Sequence, residues 1–296
     1  MSTKVPTNRT TADSRSNFTC PVCGAAAIES LRNCPACQHD LGFPNVRAAE
    51  SLDEVVALKA RFAEASDVAS RRGIDPEFAD FVTAVDSDSH VVVAVPAFYA
   101  REFLSNPRTI YTNYESLVGA GVRTPASFQD DSHRQTVSAK LFGSYAPEIR
   151  YGVLSLNGVG LKSYGRVFLR LRNVAIEKRV SFLAQNSYDF VKNTLTNGTL
   201  PCGFRCAWNN RAQLAAAKVQ PKLESAGNVS RWAEQLLTTT ENREEDDFIE
   251  AHIYGGFNAD AVESVEFNCV NQSRENRTDV GIIKRVLATR KPGGSR

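Results

Sequence analysis

Four cysteines near the N-terminus form the clearest chemical pattern in the sequence. Cys20 and Cys23 make one C-x-x-C pair, and Cys34 and Cys37 make a second, with ten residues between the pairs. Each C-x-x-C turn aims two thiolates at one point, and two such turns complete the tetrahedral set of sulfurs that zinc prefers. Neither pair has the strand-to-helix setting of a thioredoxin-like redox motif. Because four sulfur ligands leave no open coordination position, the predicted zinc ion is structural.

Glu250 belongs to a second pattern that could do chemistry. In the segment FIEAHIYGG, every second residue is apolar, and these residues face one side of the predicted strand. Glu250 and His252 face the other side. A carboxylate within an apolar strand is either a device that keeps an edge strand soluble or a catalytic group. Two ionisable groups on one face could also act as an acid–base pair on a common substrate.

The commonest enzyme motifs are missing from the sequence. It contains no P-loop, no G-x-G-x-x-G turn, no H-E-x-x-H helix and no G-x-S-x-G elbow, and it has only four histidines. Candidates for chemistry are therefore carboxylates, arginines and serines.

Composition and charge limit the class of protein. The chain has 296 residues, which is enough for one small module plus one domain of ordinary size or for two medium domains. Of these residues 42% are apolar and 23% charged, as in a soluble globular protein. No apolar run reaches the roughly 20 residues that cross a bilayer, and the N-terminus lacks an apolar signal core, so we expect a cytoplasmic protein that does not contact membranes. The net charge is +2, but residues 150–179 contain seven basic residues and one acidic residue. Such blocks are either solvated surface or a basic cleft for a phosphate-bearing ligand.

Composition and periodicity divide the chain into five predicted segments. A capping-box spacing of Ser51 and Glu54 opens a helical pattern, and β-rich runs begin near Ile149. In the run GRVFLRLRN, alternation puts apolar residues on one face and an arginine stripe on the other. The predicted class is α+β, and its segments are a disordered N-terminus (1–18), a zinc ribbon (19–45), a helical linker (46–82), a mixed β-sheet domain with peripheral helices (83–287) and a basic tail (288–296).

Two blocks of the sequence resemble the bacterial ADP-ribosyltransferase-like domains of toxin and phage-defence systems. One contains EIRYGVLSLNGVGLKSYGRVFLRLRNVAIEKRVSFLAQNSYDF, and the other is DDFIEAHIYGGFNADAVESVEF. The resemblance implies that NAD is the co-substrate and that three catalytic positions lie on strands: an arginine or histidine, a serine or aromatic residue, and a glutamate. These positions correspond to Arg150, to Ser181 with Ser187 as its competitor, and to Glu250.

The resemblance also implies a role for each position. Cleavage of the bond between nicotinamide and ribose builds positive charge on the anomeric carbon, which the Glu250 carboxylate would stabilise. A planar guanidinium matches a diphosphate, so Arg150 would hold the NAD phosphates with help from Arg166 or Arg170. The other residues expected around the dinucleotide are Tyr151, Tyr164, Ser187 and Tyr188.

Three functional hypotheses follow. The first is an ADP-ribosyltransferase that acts as a toxin or anti-phage effector, modifies nucleic acid (RNA in first place) or protein, and is restrained by an antitoxin or chaperone. Arginine-modifying members carry a second glutamate where this chain has Phe248, which disfavours arginine as the acceptor. The second is a non-catalytic zinc-ribbon module with a degenerate transferase-like fold that binds nucleic acid or a partner protein. The third is a hydrolase that uses Glu250 and His252.

Overall fold

The chain forms two compact units, divided between Pro44 and Asn45. The computed structural model describes residues 17–28, 30–112, 128–194, 200–225, 227–268 and 273–289. None of the helices within those ranges combines the length and the apolarity that spanning a bilayer requires. Most of the predicted disordered N-terminus and most of the predicted basic tail lie outside the described residues.

The first unit is built on a short hairpin. Strands β1 (Asn17–Thr19) and β2 (Ala26–Ile28) pair antiparallel, and an isolated bridge joins Asn33 to Asp40. The small core consists of Cys20, Ala27, Cys34 and Leu41. Strand β1 begins inside the segment predicted to be disordered, so that prediction is wrong for residues 17 and 18. The polar composition of the N-terminal segment gave no sign of this strand, because the strand forms by pairing with residues further along the chain.

Ten α-helices lie in the described part of the chain. Glycine at 73, with a φ of 68°, separates the two long helices that follow the division between the units. The described helices are α1 (Pro44–Ala49), α2 (Leu52–Arg71), α3 (Asp75–Asp88), α4 (Ala97–Ser105), α5 (Phe128–Phe142), α6 (Asn173–Ile176), α7 (Ser187–Thr194), α8 (Arg211–Val219), α9 (Val229–Leu236) and α10 (Arg274–Thr289).

The segment predicted as a helical linker is part of the second unit's core. Leu58 and Ala69 of α2 and Phe81 of α3 are buried, and both helices pack against α8. An apolar stripe at helical spacing must be covered by something, and here a helix much later in the chain covers it. The predicted capping box does not form either. Ser51 makes no capping hydrogen bond, and the buried carboxylate of Glu54 instead accepts hydrogen bonds from the Gly203 N–H and from Arg205, both at 2.6 Å.

A seven-stranded sheet forms the centre of the second unit. The strand order is β7-β6-β8-β4-β3-β5-β9, and every neighbouring pair is antiparallel. The α+β class is therefore confirmed, but the predicted mixed sheet is wrong. Side chains alternate between the two faces of a strand whatever the direction of its neighbours, so assigning the faces did not assign the direction. The strands are β3 (His90–Val95), β4 (Ile149–Ser155), β5 (Val167–Leu171), β6 (Val180–Leu183), β7 (Arg205–Ala207), β8 (Glu250–Tyr254) and β9 (Val262–Phe267).

Both faces of the sheet are covered. One face, which includes Val91, Leu169 and Ile253, belongs to the large core shared with α2, α3, α4, α8, α9 and α10. Against the other face, residues of α5 and α7 pack on Ile149 and Leu183. Glycine is required at position 152 of β4, because a Cβ there would lie 2.9 Å from the Val91 Cγ1. Glu250 and Ser181, two of the three candidate catalytic residues, lie on the face that α5 and α7 cover.

Candidate functional site

The four N-terminal cysteines converge on one point. Their sulfur atoms lie within 4.8 Å of one another, with 3.7 Å between Cys20 and Cys37 and 3.6 Å between Cys23 and Cys34. Four sulfurs that each lie about 2.3 Å from a common ion are about 3.8 Å apart in a tetrahedron. The residues therefore fit a single metal ion whose four coordination positions are all taken by protein.

The two C-x-x-C pairs are held by the same tight turn. The Gly24 N–H donates to the Cys20 carbonyl and the Gln38 N–H to the Cys34 carbonyl, both at 2.9 Å. Gly24 and Gln38 have positive φ values of 69° and 59°. Glycine adopts this left-handed conformation freely, whereas it costs a glutamine about 1–2 kcal/mol. The repeated geometry at both turns indicates that the fold of the first unit is arranged around its four sulfurs.

Backbone N–H groups of these turns also act on the thiols. The Cys37 N–H is the main cause that lowers the pKa of Cys34 to about 6, and the Cys23 N–H lowers the pKa of Cys20. At Cys37 the His39 N–H lowers the pKa, but contacts with Cys23 and the other thiols, together with burial, outweigh it and raise the pKa to about 12. Thiolate is the form that binds a metal, so the turns favour binding at Cys20 and Cys34.

Glu250 lies at the start of an interior strand of the sheet. Strand β8 has β6 on one side and β4 on the other, so Glu250 is paired with Leu183 and with Val153. Its side chain is only 11% exposed. The position excludes the interpretation of Glu250 as a device that keeps an edge strand soluble. A carboxylate in such apolar surroundings requires polar partners.

Both hydrogen-bond partners that the structure describes for the Glu250 carboxylate contact the same oxygen, Oε2. Oε2 accepts a hydrogen bond from the Ser187 N–H at 2.9 Å and lies 3.0 Å from the Nε2 of His252. Ser187 begins α7, and the positive end of the helix dipole favours the negative charge. The other oxygen, Oε1, has no hydrogen-bond partner within the described part of the chain. The carboxylate is thus fixed in orientation while one oxygen is left unused.

The imidazole of His252 is held by aromatic rings. The Phe142 ring of α5 lies 4.8 Å away and the Tyr151 ring of β4 lies 5.5 Å away, both nearly perpendicular to it. The hydroxyl of Tyr151 lies 2.8 Å from the Ser138 hydroxyl of α5. His252 is 2% exposed, so its orientation is set by packing as well as by Glu250.

Ser181 shares the sheet face of Glu250. It lies opposite His252 across the pair β6–β8, and residues directly opposite in an antiparallel pair point to the same side. Its hydroxyl accepts a hydrogen bond of 3.2 Å from the side-chain amide of Asn45 in α1, which also donates to the His252 carbonyl at 2.9 Å. The predicted second-strand serine is therefore close to the Glu250–His252 pair.

Arg150 does not share that face. It lies opposite Ile253, at an odd distance along β8 from Glu250, so its side chain points to the other side of the sheet. Its guanidinium donates to the carbonyls of Pro147 at 2.7 Å and Tyr111 at 3.3 Å. The resemblance grouped Arg150 with Glu250, and the register of β4 against β8 separates them.

Other predicted cofactor residues are engaged elsewhere. The ring of Tyr164 lies 4.5 Å beneath the guanidinium of Arg243, and Arg166 forms an ion pair with Glu241. The predicted arginine stripe is partly neutralised, because Arg170 likewise pairs with Glu263. Tyr188 follows Ser187 in α7 and is exposed, with Lys192 near its ring.

The predicted set therefore divides in two. Ser187 contacts Glu250, and Tyr151 and Ser181 lie beside its partner His252. Arg150, Tyr164 and Arg166 contact neither residue. Sequence reasoning missed Asn45, Ser138 and Phe142, which are contributed by helices and carry no motif of their own. No model of a known protein family matches the chain, and no curated protein matches it significantly.

Proposed function

We propose that the Glu250 cluster, defined as Ser138, Tyr151, Ser181, Ser187, Glu250 and His252, is the catalytic site of an NAD-dependent ADP-ribosyltransferase. The proposal rests on the way in which the Glu250 carboxylate is held. Its Oε2 is held by two partners in a buried position, while Oε1 is left to accept a hydrogen bond from a ribose hydroxyl.

The chemistry requires negative charge at a fixed position. When the bond between nicotinamide and ribose breaks, nicotinamide leaves with the bonding electron pair and the anomeric carbon becomes positive. A nucleophile of the acceptor then bonds to that carbon and loses a proton. In surroundings of low polarity, a carboxylate that needs no reorientation stabilises the positive charge more strongly than one in water. Ser187 and His252 supply this fixed orientation.

Arg150 is not part of the proposed site. Its side chain lies on the other side of the sheet, where it binds backbone carbonyls. The proposal therefore rests on the carboxylate and on the residues that hold it, and it assigns no residue to the NAD diphosphate.

The acceptor that we propose is nucleic acid, with RNA in first place, or a protein. The ion pairs of Arg166 and Arg170 weaken the basic stripe as an argument for nucleic acid. The cysteine module remains in support, since we propose that it holds zinc and serves in recognition of the target. A toxin or anti-phage effector of this kind would be restrained by an antitoxin or chaperone.

The test is consumption of NAD by the purified full chain. We expect release of nicotinamide and transfer of label from NAD to one of three fractions: cellular RNA, DNA or protein. Glu250→Gln should abolish both, whereas Glu263→Gln, which removes a carboxylate from the exposed part of strand β9, should leave both unchanged. Nicotinamide release that is absent from the native protein, or equal in Glu250→Gln, would remove the proposal.

A second candidate function is hydrolysis by Glu250 and His252 as an acid–base pair. The distance of 3.0 Å between the Glu250 Oε2 and the His252 Nε2 favours it, because a proton can pass between the groups. This candidate predicts no consumption of NAD, together with loss of hydrolysis in both Glu250→Gln and His252→Gln when the native protein is screened against ester and phosphoester substrates.

A further inference from the structure

Asn45 lies against the Glu250 cluster but is not one of its members. It belongs to α1 and is 2% exposed. Its side-chain Nδ2 lies 3.2 Å from the Ser181 Oγ, 2.9 Å from the His252 carbonyl oxygen and 3.2 Å from the Arg179 carbonyl oxygen. One amide group therefore contacts both strands at the place where Ser181 and His252 are paired.

The surroundings of the Asn45 amide fix its orientation. An amide nitrogen can only donate and a carbonyl oxygen can only accept, so the carbonyls of Arg179 and His252 require the nitrogen on their side. The reversed amide would place its oxygen against two other acceptors. Asn45 is therefore the donor in its hydrogen bond with the Ser181 hydroxyl, and Ser181 is the acceptor.

This hydrogen bond leaves the proton of the Ser181 hydroxyl available. A hydroxyl that accepts through its oxygen still has one proton to donate. The Asn45 Oδ1 does not take that proton, because it has no hydrogen-bond partner among the described residues. In the same part of the chain, the Ser181 hydroxyl has no hydrogen bond besides the one from Asn45. Ser181 is thus held through its oxygen and keeps a donor to offer.

The two ends of the Asn45 amide are unequal. Its nitrogen contacts three acceptors, whereas its buried oxygen contacts no donor within the residues that the structure describes. A buried oxygen without a partner lowers stability. The position that Asn45 imposes on Ser181 therefore explains the arrangement better than a contribution to folding does.

We propose that Asn45 is a positioning residue of the Glu250 cluster. Its amide holds the Ser181 oxygen so that the Ser181 hydroxyl donates its proton to an oxygen of the bound substrate. A donor that is already in place needs no reorientation during the reaction. The inference rests on the proposed transferase function, in which the ribose oxygens of NAD lie beside Glu250.

The experiment is a double-mutant cycle on nicotinamide release by the purified full chain, with Asn45→Leu, Ser181→Ala and the variant that carries both. Leucine keeps the branched shape of asparagine and lacks its donor. We expect kcat to fall about tenfold or more in each single variant, with KM for NAD changed less than about threefold, because a hydrogen bond made in the transition state is lost. The double variant should be no slower than Ser181→Ala, since Asn45 then has no hydroxyl to position.

Asn173→Leu is the matched control. Asn173 also has a buried Oδ1 without a partner in the described ranges, and it donates to a backbone carbonyl, that of Ser89, at 3.4 Å. It lies outside the Glu250 cluster, so this variant should release nicotinamide at the native rate. If Asn45→Leu does not fold, Asn45→Ser takes its place with the same expectation.

The outcomes separate this inference from the proposed function. A native rate in the Asn45 variant, or losses that multiply in the double variant, would overturn the role of Asn45 and leave the transferase function standing. Absence of nicotinamide release from the native chain would remove both.

Discussion

The contacts of Glu250 permit a prediction that separates its structural role from its chemical one. In Glu250→Ala, the Ser187 N–H and the His252 Nε2 both lose their partner in a buried place. Each unsatisfied buried group costs about 1–3 kcal/mol, so we expect the free energy of unfolding to fall by about 2–6 kcal/mol. The change is large compared with the whole stability of a typical domain.

Glu250→Gln should behave differently, because the amide keeps the shape of the side chain. Both partners of Glu250 bind the same oxygen, Oε2. An amide oxygen at that position still accepts from Ser187, but it lacks the negative charge that favours the contact with His252. We therefore expect a loss of about 1–2 kcal/mol in stability. Nicotinamide release should nevertheless fall by a factor of about 100 or more, as when a group that stabilises transition-state charge is removed.

Urea unfolding followed by tryptophan fluorescence measures the stabilities, and nicotinamide release measures the activity. Glu263→Gln serves as the control, since its carboxylate is exposed and we expect a change below about 1 kcal/mol. A Glu250→Ala variant as stable as the native chain would refute the assigned contacts. A Glu250→Gln variant that releases nicotinamide at the native rate would refute the role of the charge.

The remaining predictions concern the metal, the sheet and the pH dependence. Metal analysis should find one zinc ion per native chain and none in Cys34→Ser, while the fluorescence of both tryptophans, which lie in the second unit, stays unchanged. Gly152→Ala should lower the free energy of unfolding by about 1–3 kcal/mol, because its Cβ would lie 2.9 Å from the Val91 side chain. Gly281→Ala in α10 should raise it by about 0.5–1 kcal/mol, because a Cβ there meets no neighbouring element within 4 Å and alanine favours a helix over glycine. Burial, and secondarily the charge of Arg170, lowers the pKa of His90, so the unfolded chain binds the proton more readily than the folded chain. The free energy of unfolding should therefore fall as the pH drops below about 6.5. Urea unfolding at several pH values should show a smaller dependence on pH in His90→Gln.

Local patterns predicted several features correctly. The spacing of the cysteines predicted their convergence, because a C-x-x-C turn positions its own sulfurs and needs little from the rest of the chain. The identity of the metal stays a prediction. The alternation around Glu250 predicted the two faces of β8, and the run from 166 to 172 predicted those of β5, since side chains of a strand alternate whatever its neighbours are.

Other predictions failed where the answer depended on a distant partner. The helical pattern that opens at Ser51 does form α2, but only the tertiary structure decides that α8 covers its apolar side. Ser51 and Glu54 have the spacing of a capping box, yet the Glu54 carboxylate accepts its hydrogen bonds from residues about 150 positions away. The alternation of side chains likewise does not predict whether neighbouring strands run parallel or antiparallel.

Residue type and spacing were enough to show which side chains could do chemistry, because they place a pair of thiolates in one turn or a carboxylate on one strand face. Which of these side chains meet depends on how the strands pair. Arg150 and Tyr151 are adjacent in the chain, yet the register of β4 against β8 places Tyr151 beside His252 and Arg150 on the opposite side of the sheet. Side chains alternate with a period of two, so the pairing between strands, which no single segment contains, decides the membership of the site.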